Sequence, residues 1–164
     1  MISLKTKSSE TGMTSPVGAS NYQNPWSYRG VPLKSEDIGD NYGFIYLITD
    51  LRNGKKYVGK KLFWSKKTRQ VKGKKKRSIV ESDWMDYYGS SAELMVEIES
   101  AGRDSFKREV LHLCKSKGEC NYWEAYEQFT RGVLLSDEYY NSWIQVKVHK
   151  SHLKHSRMMN EKDK

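Results

Sequence analysis

The sequence predicts a small α+β domain, in which a central three-stranded, mostly antiparallel sheet is flanked by helices in the order β-β-α-β-α. Two short β-rich runs, 44–49 and 56–59, flank Asn53-Gly54, a dipeptide typical of tight hairpins. A third β-rich run covers 106–114. Segments with apolar residues at helical spacing lie on both sides of this third run, which gives the α+β order.

Both predicted helices have recognisable ends. Either Ser90 or Ser91 is suited to cap the first helix, and Gly102 is suited to end it. The second helix is predicted from Glu119 to Arg131, with Gly132 beyond its end. The helices therefore alternate with the third strand along the chain.

The 164 residues are expected to form one domain with flanking segments. Residues 1–23 are rich in Ser, Thr and Gly and are predicted to be a disordered arm. Residues 24–40 are predicted to be an extension that packs on the domain at 41–145, and 146–164 a basic tail. No apolar run approaches the roughly 18 residues of a membrane span. With no apolar leader either, we expect an intracellular protein in the cytoplasm of its host cell.

Positive charge is concentrated in one segment. Residues 55–77 contain twelve Lys or Arg and no acidic residue, whereas 81–142 carry six basic and thirteen acidic residues. This segregation favours a polyanion-binding surface, with nucleic acid as the first candidate, and a disordered Lys-rich loop is the alternative. We expect a helix or turn after the second strand and a mobile loop around Gly73. The residues predicted to bind nucleic acid are Lys66, Lys67, Lys72, Lys74, Lys75, Lys76 and Arg77.

Cysteine and histidine do not form a convincing metal pattern. Cys114 and Cys120 are too few for a disulfide scaffold, and their spacing does not suit a zinc site. His149, His152 and His155 repeat in the basic tail, where solvent exposure is the usual state. Phosphate-loop and nucleophile-elbow motifs are absent from the sequence. Tyrosine, lysine, arginine and glutamate remain as candidates for chemistry.

Two motifs in the predicted hairpin, Gly43–Tyr46 and Tyr57–Gly59, resemble the signature of the GIY-YIG nuclease superfamily. Glu124 lies where that family keeps its metal-binding glutamate, and Asn141 where it keeps a terminal asparagine. The segment 89–111 is similar to the phage-encoded, Seg-like homing endonucleases. The resemblance covers nearly all of the predicted domain. It implies a metal-dependent DNA endonuclease of phage or mobile-element type.

The resemblance also implies a role for each site residue. Tyr46 would be the general base, which requires nearby positive charge because a free tyrosine has a pKa near 10. Lys60 and the basic run after it would supply that charge. Tyr57 would orient the water or phosphate, and Gly59 would let the backbone approach closely. Glu124 would hold one Mg²⁺ or Mn²⁺ ion that polarises the scissile phosphate.

Four of the implied assignments stay open. The family's arginine position corresponds to Lys67, but we choose Arg69 because the guanidinium fork suits phosphate better. Tyr88 and Ser90 either line the site or serve in packing and helix capping. Asn141 is either catalytic, as its spacing after Glu124 in the family pattern implies, or a turn residue.

The sequence leaves more than one function open. The expected partner is double-stranded DNA, and self-association is left open. The alternative function is a non-catalytic nucleic-acid-binding module with the same fold, and a ribosome-associated or RNA-binding role rests on charge alone. The joint presence of Tyr46, Tyr57, Glu124 and Asn141 favours the enzyme, since a binding module has no need of all four.

Overall fold

The computed structural model describes residues 24–153, so the arm predicted over 1–23 and the last part of the basic tail lie outside the described residues. The β-strands in this range are β1 (Ser27–Tyr28), β2 (Val31–Pro32), β3 (Gly43–Asp50), β4 (Lys56–Leu62), β5 (Trp64–Val71), β6 (Lys74–Glu81) and β7 (Phe106–Cys114). The α-helices are α1 (Ala92–Ala101) and α2 (Lys117–Thr130). Neither helix of the described range is long and apolar enough to cross a membrane.

The predicted three-stranded sheet is wrong. The described residues form a five-stranded mixed sheet in the order β2-β1-β7-β3-β4 and a separate two-stranded sheet of β5 and β6. At one edge, β1 pairs parallel with β7, with Ser27 opposite Glu109, and antiparallel with β2. Strands of two residues are too short to leave a period in the sequence, which is why they were not predicted. The domain nevertheless remains α+β.

The β5–β6 hairpin occupies the segment where the sequence predicted a helix or turn and a mobile loop. Val71 pairs with Lys74, so only Lys72 and Gly73 form the turn, with φ angles of 48° and 73°. Two consecutive positive φ angles in a two-residue loop are those of a type I′ turn, whose twist matches that of the flanking strands. No strand was predicted here because lysines dominate the segment, although its β-branched residues favour strand formation.

The predicted hairpin at Asn53-Gly54 is confirmed. β3 and β4 pair antiparallel, and Tyr46 lies directly opposite Gly59 in the register. Gly54 has a φ of 76°, which glycine adopts without steric cost. The two signature motifs therefore lie side by side on neighbouring strands.

The predicted third strand and both helices are also present, within two residues of their expected ends. Ser91 caps α1, because its hydroxyl accepts a hydrogen bond from the Leu94 N–H at 3.4 Å. Gly102 ends α1. Ser116 caps α2 in the same way, through the Glu119 N–H at 3.1 Å.

Apolar side chains fill both faces of the main sheet. Trp26, Phe44 and Tyr46 belong to the cluster on the α1 face, and Ile45 and Val58 to the cluster on the α2 face. The second cluster also contains the free, buried thiols of Cys114 and Cys120.

The outer edge of β4 is covered by the chain that follows α2. The Lys56 N–H donates to the Glu138 carbonyl at 2.8 Å, and the Tyr140 N–H donates to the Lys56 carbonyl at 2.7 Å. The Tyr140 hydroxyl donates to the buried carboxylate of Asp50 at 3.0 Å. These contacts fix the segment after α2 against the β3–β4 hairpin.

Replacing Asp50 with alanine should lower the free energy of unfolding by about 2–4 kcal/mol at neutral pH. Its carboxylate accepts hydrogen bonds from the Arg52 guanidinium at 2.7 and 3.0 Å as well as from Tyr140. The hydrogen bonds from Arg52 hold the pKa of Asp50 below its usual value. This stabilisation is complete above the ordinary aspartate pKa of about 4 and is lost as the pH falls through the lower pKa of the folded protein.

Urea unfolding at pH 7 and at pH 2.5–3 measures this contribution, with the exposed Asp104→Ala as the matched control. The control should change the free energy of unfolding by less than about 0.5 kcal/mol. A difference between wild type and Asp50→Ala that grows on acidification would contradict the assignment.

Candidate active site

A cavity of about 650 Å³ lies beside the outer edge of β4. Its lining includes five residues that the sequence singled out, which are Tyr57, Lys60, Ser90, Glu124 and Asn141. They come from β4, from the residues just before α1, from α2 and from the segment after α2. The fold therefore brings into one cavity residues that are far apart in the chain.

Glu124 faces this cavity from α2, and 14% of its side chain is exposed. The Lys60 ammonium group donates a hydrogen bond to its Oε2 atom. Lys60 lies on β4, so the ion pair joins the sheet to the helix. A carboxylate this well buried requires a compensating charge, and Lys60 supplies it.

The donors around Glu124 fit a divalent ion that takes few ligands from the protein. Within residues 24–153, no group of three or more His, Cys, Asp or Glu side chains is arranged to hold a metal. Mg²⁺ commonly takes one or two carboxylates and completes its shell with water and substrate phosphate. Glu124, with the hydroxyls of Tyr57 and Ser90 on the same cavity, suits such a hydrated ion. A closed zinc site would need more protein ligands.

Tyr46, the predicted general base, lies beneath the cavity and is not part of its lining. It is only 1% exposed, and its ring centroid lies 6.1 Å from that of Tyr57 and 5.9 Å from that of Tyr87. Burial raises the pKa of Tyr46 well above its ordinary value, and the two tyrosines and Glu124 act in the same direction. The sequence analysis expected Lys60 to lower the pKa of Tyr46, but the Lys60 ammonium group contacts Glu124 instead.

Tyr57 is the signature tyrosine that reaches the cavity. Its hydroxyl lies 3.3 Å from the Ser90 Oγ atom, within hydrogen-bond distance. Burial raises the pKa of Tyr57, and the hydrogen bond with Ser90 acts against that rise. Ser90 thus contacts Tyr57 while its neighbour Ser91 caps α1.

Gly59 provides the space that both signature tyrosines occupy. A Cβ atom at this position would lie 2.7 Å from Cζ of Tyr46 and 3.0 Å from Cε1 of Tyr57, too close for either ring to stay in place. The requirement for glycine here therefore comes from the packing of the two tyrosine rings.

Asn141 uses its whole amide to bind the backbone of β4. Its Oδ1 accepts from the Val58 N–H at 3.0 Å, and its Nδ2 donates to the Val58 carbonyl at 2.8 Å. Val58 precedes Gly59 and follows Tyr57. Asn141 therefore holds the strand that carries Tyr57, and its amide is directed at the backbone.

Arg69 and Lys67 do not line the cavity. Both lie on the exposed strand β5, because the helix from which their family position was inferred is replaced by the β5–β6 hairpin. Among the candidate phosphate-binding cations, Lys60 is the one found in the cavity lining.

Tyr88 does not line the cavity either. It is buried in the core, and its hydroxyl accepts a hydrogen bond from Asn24 Nδ2 at 3.2 Å. The seven predicted nucleic-acid-binding residues all lie on the hairpin.

Two residues of the site were missed by the sequence reasoning. Gln128 lines the cavity, and its Nε2 donates to the Val58 carbonyl at 3.1 Å. It follows Glu124 by one helical turn, so the i,i+4 spacing was a usable signal. Tyr87 packs edge-on against Tyr46, and the Lys61 ammonium lies 3.9 Å from the centre of its ring. Nothing in the sequence indicated this position.

A protein-family model described as "Putative endonuclease segE, GIY-YIG domain" matches residues 26–144. The match covers most of the chain and includes both signature motifs and Glu124. The chain therefore belongs to this family of GIY-YIG endonucleases, and the resemblance seen in the sequence is confirmed. Comparison with curated proteins and with solved structures found no match.

Replacing Asn141 with alanine should lower the free energy of unfolding by about 1–3 kcal/mol, because the buried Val58 N–H loses its partner and the Val58 carbonyl keeps only the hydrogen bond from Gln128. The Val58 amide should also lose protection against hydrogen exchange, since no strand of the described residues pairs with β4 on that side. Asn121→Ala is the matched control, because that amide makes only a 3.4 Å contact with the Lys147 carbonyl. Unchanged protection of Val58 in the Asn141 variant would show that the amide does not hold the strand.

Proposed function

We propose that this protein is a DNA endonuclease that hydrolyses phosphodiester bonds with one divalent ion, Mg²⁺ or Mn²⁺, held by Glu124. The observation that carries this proposal is the convergence of Glu124, Lys60 and Tyr57 on one cavity in a chain of the GIY-YIG endonuclease family. Phosphodiester hydrolysis needs charge neutralisation, a positioned water molecule and a proton acceptor. Glu124 would hold the ion that neutralises charge, Lys60 would contact the phosphate, and Tyr57 would position the water molecule and accept its proton.

The charged residues of the cavity divide the work on the phosphate. A divalent ion at Glu124 would supply charge neutralisation and stabilise the leaving oxygen. Lys60 has a flexible stem and a compact charge, so it can contact both the Glu124 carboxylate and a phosphate that enters the cavity. We assign to Lys60 the phosphate-binding role that the sequence gave to Arg69.

The two signature tyrosines take different roles in this proposal. A general base must come within hydrogen-bond distance of the proton it removes, and Tyr57 is the tyrosine that lines the cavity. We therefore assign the contact with the attacking water, and the acceptance of its proton, to Tyr57. Tyr46 becomes a positioning residue that packs behind the Tyr57 ring. The family resemblance implied the opposite assignment, with Tyr46 as the general base.

A non-catalytic nucleic-acid-binding module is the second candidate function. It is supported by the ion pair in which Lys60 contacts the carboxylate that a metal ion would need. It predicts salt-dependent DNA binding without metal-dependent cleavage. A phage or mobile-element type, a homing role and an intracellular site of action are further proposals that rest on the resemblance to Seg-like endonucleases.

Glu124→Gln should reduce the nicking of supercoiled plasmid by about 100-fold or more in Mg²⁺ or Mn²⁺, and EDTA should abolish nicking by the wild type. Glu93→Gln is the matched control, because Glu93 also lines the cavity but pairs with Lys55 at 2.7 Å. The control should retain activity within a few-fold. Full activity of purified Glu124→Gln would refute the metal assignment, and a wild type that binds DNA without cutting it would support the binding module.

The cleavage rate at saturating DNA and metal should rise by about tenfold per pH unit between pH 6 and 9. Burial raises the pKa of Tyr57, so the deprotonated phenol required of a base increases throughout this range. Tyr57→Phe should remove this slope and lower the rate by about 100-fold or more. Tyr46→Phe should keep the slope and lose less activity. A wild-type plateau near pH 7, or an unchanged slope in Tyr57→Phe, would argue for a different base.

A further inference from the structure

The β5–β6 hairpin is a ribbon that projects from the domain. Within residues 24–153 its two strands pair only with each other, and every residue from 66 to 79 is exposed. Eight residues in each strand give a length of about 26 Å at the usual rise of a β-strand. This length suits an arm that reaches a partner.

The base of the hairpin is fixed to the core. Phe63 is fully buried, and its carbonyl accepts from the Ser82 N–H at 2.7 Å. Trp64 Nε1 donates to the Asn41 carbonyl at 2.9 Å. Since β5 follows β4 after a single residue, the arm is held in register with the strand that carries Lys60 to the cavity.

Both faces of the hairpin carry positive charge. The strand alternation and the pairing register place Lys67, Arg69, Lys74 and Lys76 on one face. They place Lys66, Lys75 and Arg77 on the other face, with Lys72 in the turn. Six of these eight cations lie between Arg69 and Arg77, in the outer part of the arm.

These charges are not compensated within the described part of the protein. No acidic residue occurs between Lys56 and Glu81, and none of the hairpin cations takes part in an ion pair between described residues. Arg69 lies directly opposite Lys76, and like charges in such a pair destabilise a ribbon. A polyanionic partner would remove this repulsion.

We propose that the hairpin enters the major groove of duplex DNA with its turn leading, so that cations on its two faces contact the phosphates on the two sides of the groove. This proposal rests on the proposed function, since it concerns how the nuclease holds its substrate. The B-DNA major groove is about 12 Å wide and accepts a two-stranded ribbon, whereas the minor groove is about 6 Å wide. Binding across a flat surface would use one face only.

The groove geometry also agrees with the distribution of side chains along the arm. A depth of about 8.5 Å admits the turn and roughly the outermost three residues of each strand, where the cations are concentrated. Gln70 lies beside the turn in this part of the arm and offers hydrogen-bonding groups for base edges. A-form RNA has a deep and narrow major groove that side chains cannot read, so an RNA duplex should not accept the arm.

Two triple variants test the proposal, because each removes three charges from one face. They are R69Q/K74Q/K76Q and K66Q/K75Q/R77Q. The matched control K34Q/K107Q/K117Q removes three exposed lysines outside the hairpin. Binding of the full chain to a 30-base-pair DNA duplex in EDTA is measured by fluorescence anisotropy at several salt concentrations, with circular dichroism as the check on folding.

Each hairpin variant should weaken DNA binding by at least tenfold at about 0.1 M salt and reduce the log–log salt slope by about 2 to 3, since each phosphate contact contributes about 0.9. The control should change affinity by less than threefold. The wild type should protect guanine N7 atoms from dimethyl sulfate, and netropsin, a minor-groove ligand, should not displace it. Loss of affinity in only one face variant, equal binding of an RNA duplex, or displacement by netropsin would overturn groove insertion.

A small substrate separates this test from that of the proposed function. Thymidine 5′-(p-nitrophenyl phosphate) is a phosphodiester too short to reach the arm. Both hairpin variants should hydrolyse it at the wild-type rate in Mn²⁺ if they lose only duplex binding. Failure of the wild type to nick plasmid would refute the nuclease and leave the binding result standing. Normal hydrolysis together with normal DNA binding in both variants would refute the proposed role of the hairpin in DNA binding.

Discussion

The candidate site depends on how the outer edge of β4 is satisfied. An edge strand presents unpaired N–H and C=O groups that must find partners. In this protein the side-chain amides of Asn141 and Gln128 bind Val58, and the backbone after α2 binds Lys56. Gln128 and Glu124 share one face of α2, so covering this edge also brings the Glu124 carboxylate beside β4. One packing requirement thus places Glu124, the proposed metal ligand, near Tyr57.

The signature tyrosines differ in environment although they lie on adjacent strands. β3 is the more buried strand, and Tyr46 lies among aromatic rings where a phenolate would be strongly disfavoured. Tyr57 lies on the edge strand and reaches the cavity. Their order in the sequence therefore does not assign their roles. The two tyrosines differ in their burial and in their access to the cavity. Both differences follow from the position of each strand in the sheet.

The sequence predicted the elements whose signals are local. Asn53-Gly54 indicated the β3–β4 hairpin, either Ser90 or Ser91 together with Gly102 indicated the ends of α1, and the helical spacing of aromatic residues over 119–131 indicated α2. It could not predict the short strands β1 and β2, because two-residue strands have no period. The β5–β6 hairpin was missed because charge dominated the pattern and a Lys72-Gly73 turn is a weaker signal than Asn-Gly. The family's arginine position was taken to lie on a helix in that segment, whereas Arg69 lies on the exposed strand β5.

We propose that Glu124 holds one divalent ion beside Tyr57 and Lys60. Paramagnetic broadening of backbone amide signals by Mn²⁺ tests it most directly, because broadening reports distance from the ion independently of cleavage. Mn²⁺ should selectively broaden the signals of residues around Tyr57, Lys60 and Glu124 in the wild type, and this broadening should be lost in Glu124→Gln. Broadening that persists in this variant, or that is centred on His149 and His152, would show that Glu124 does not hold the ion.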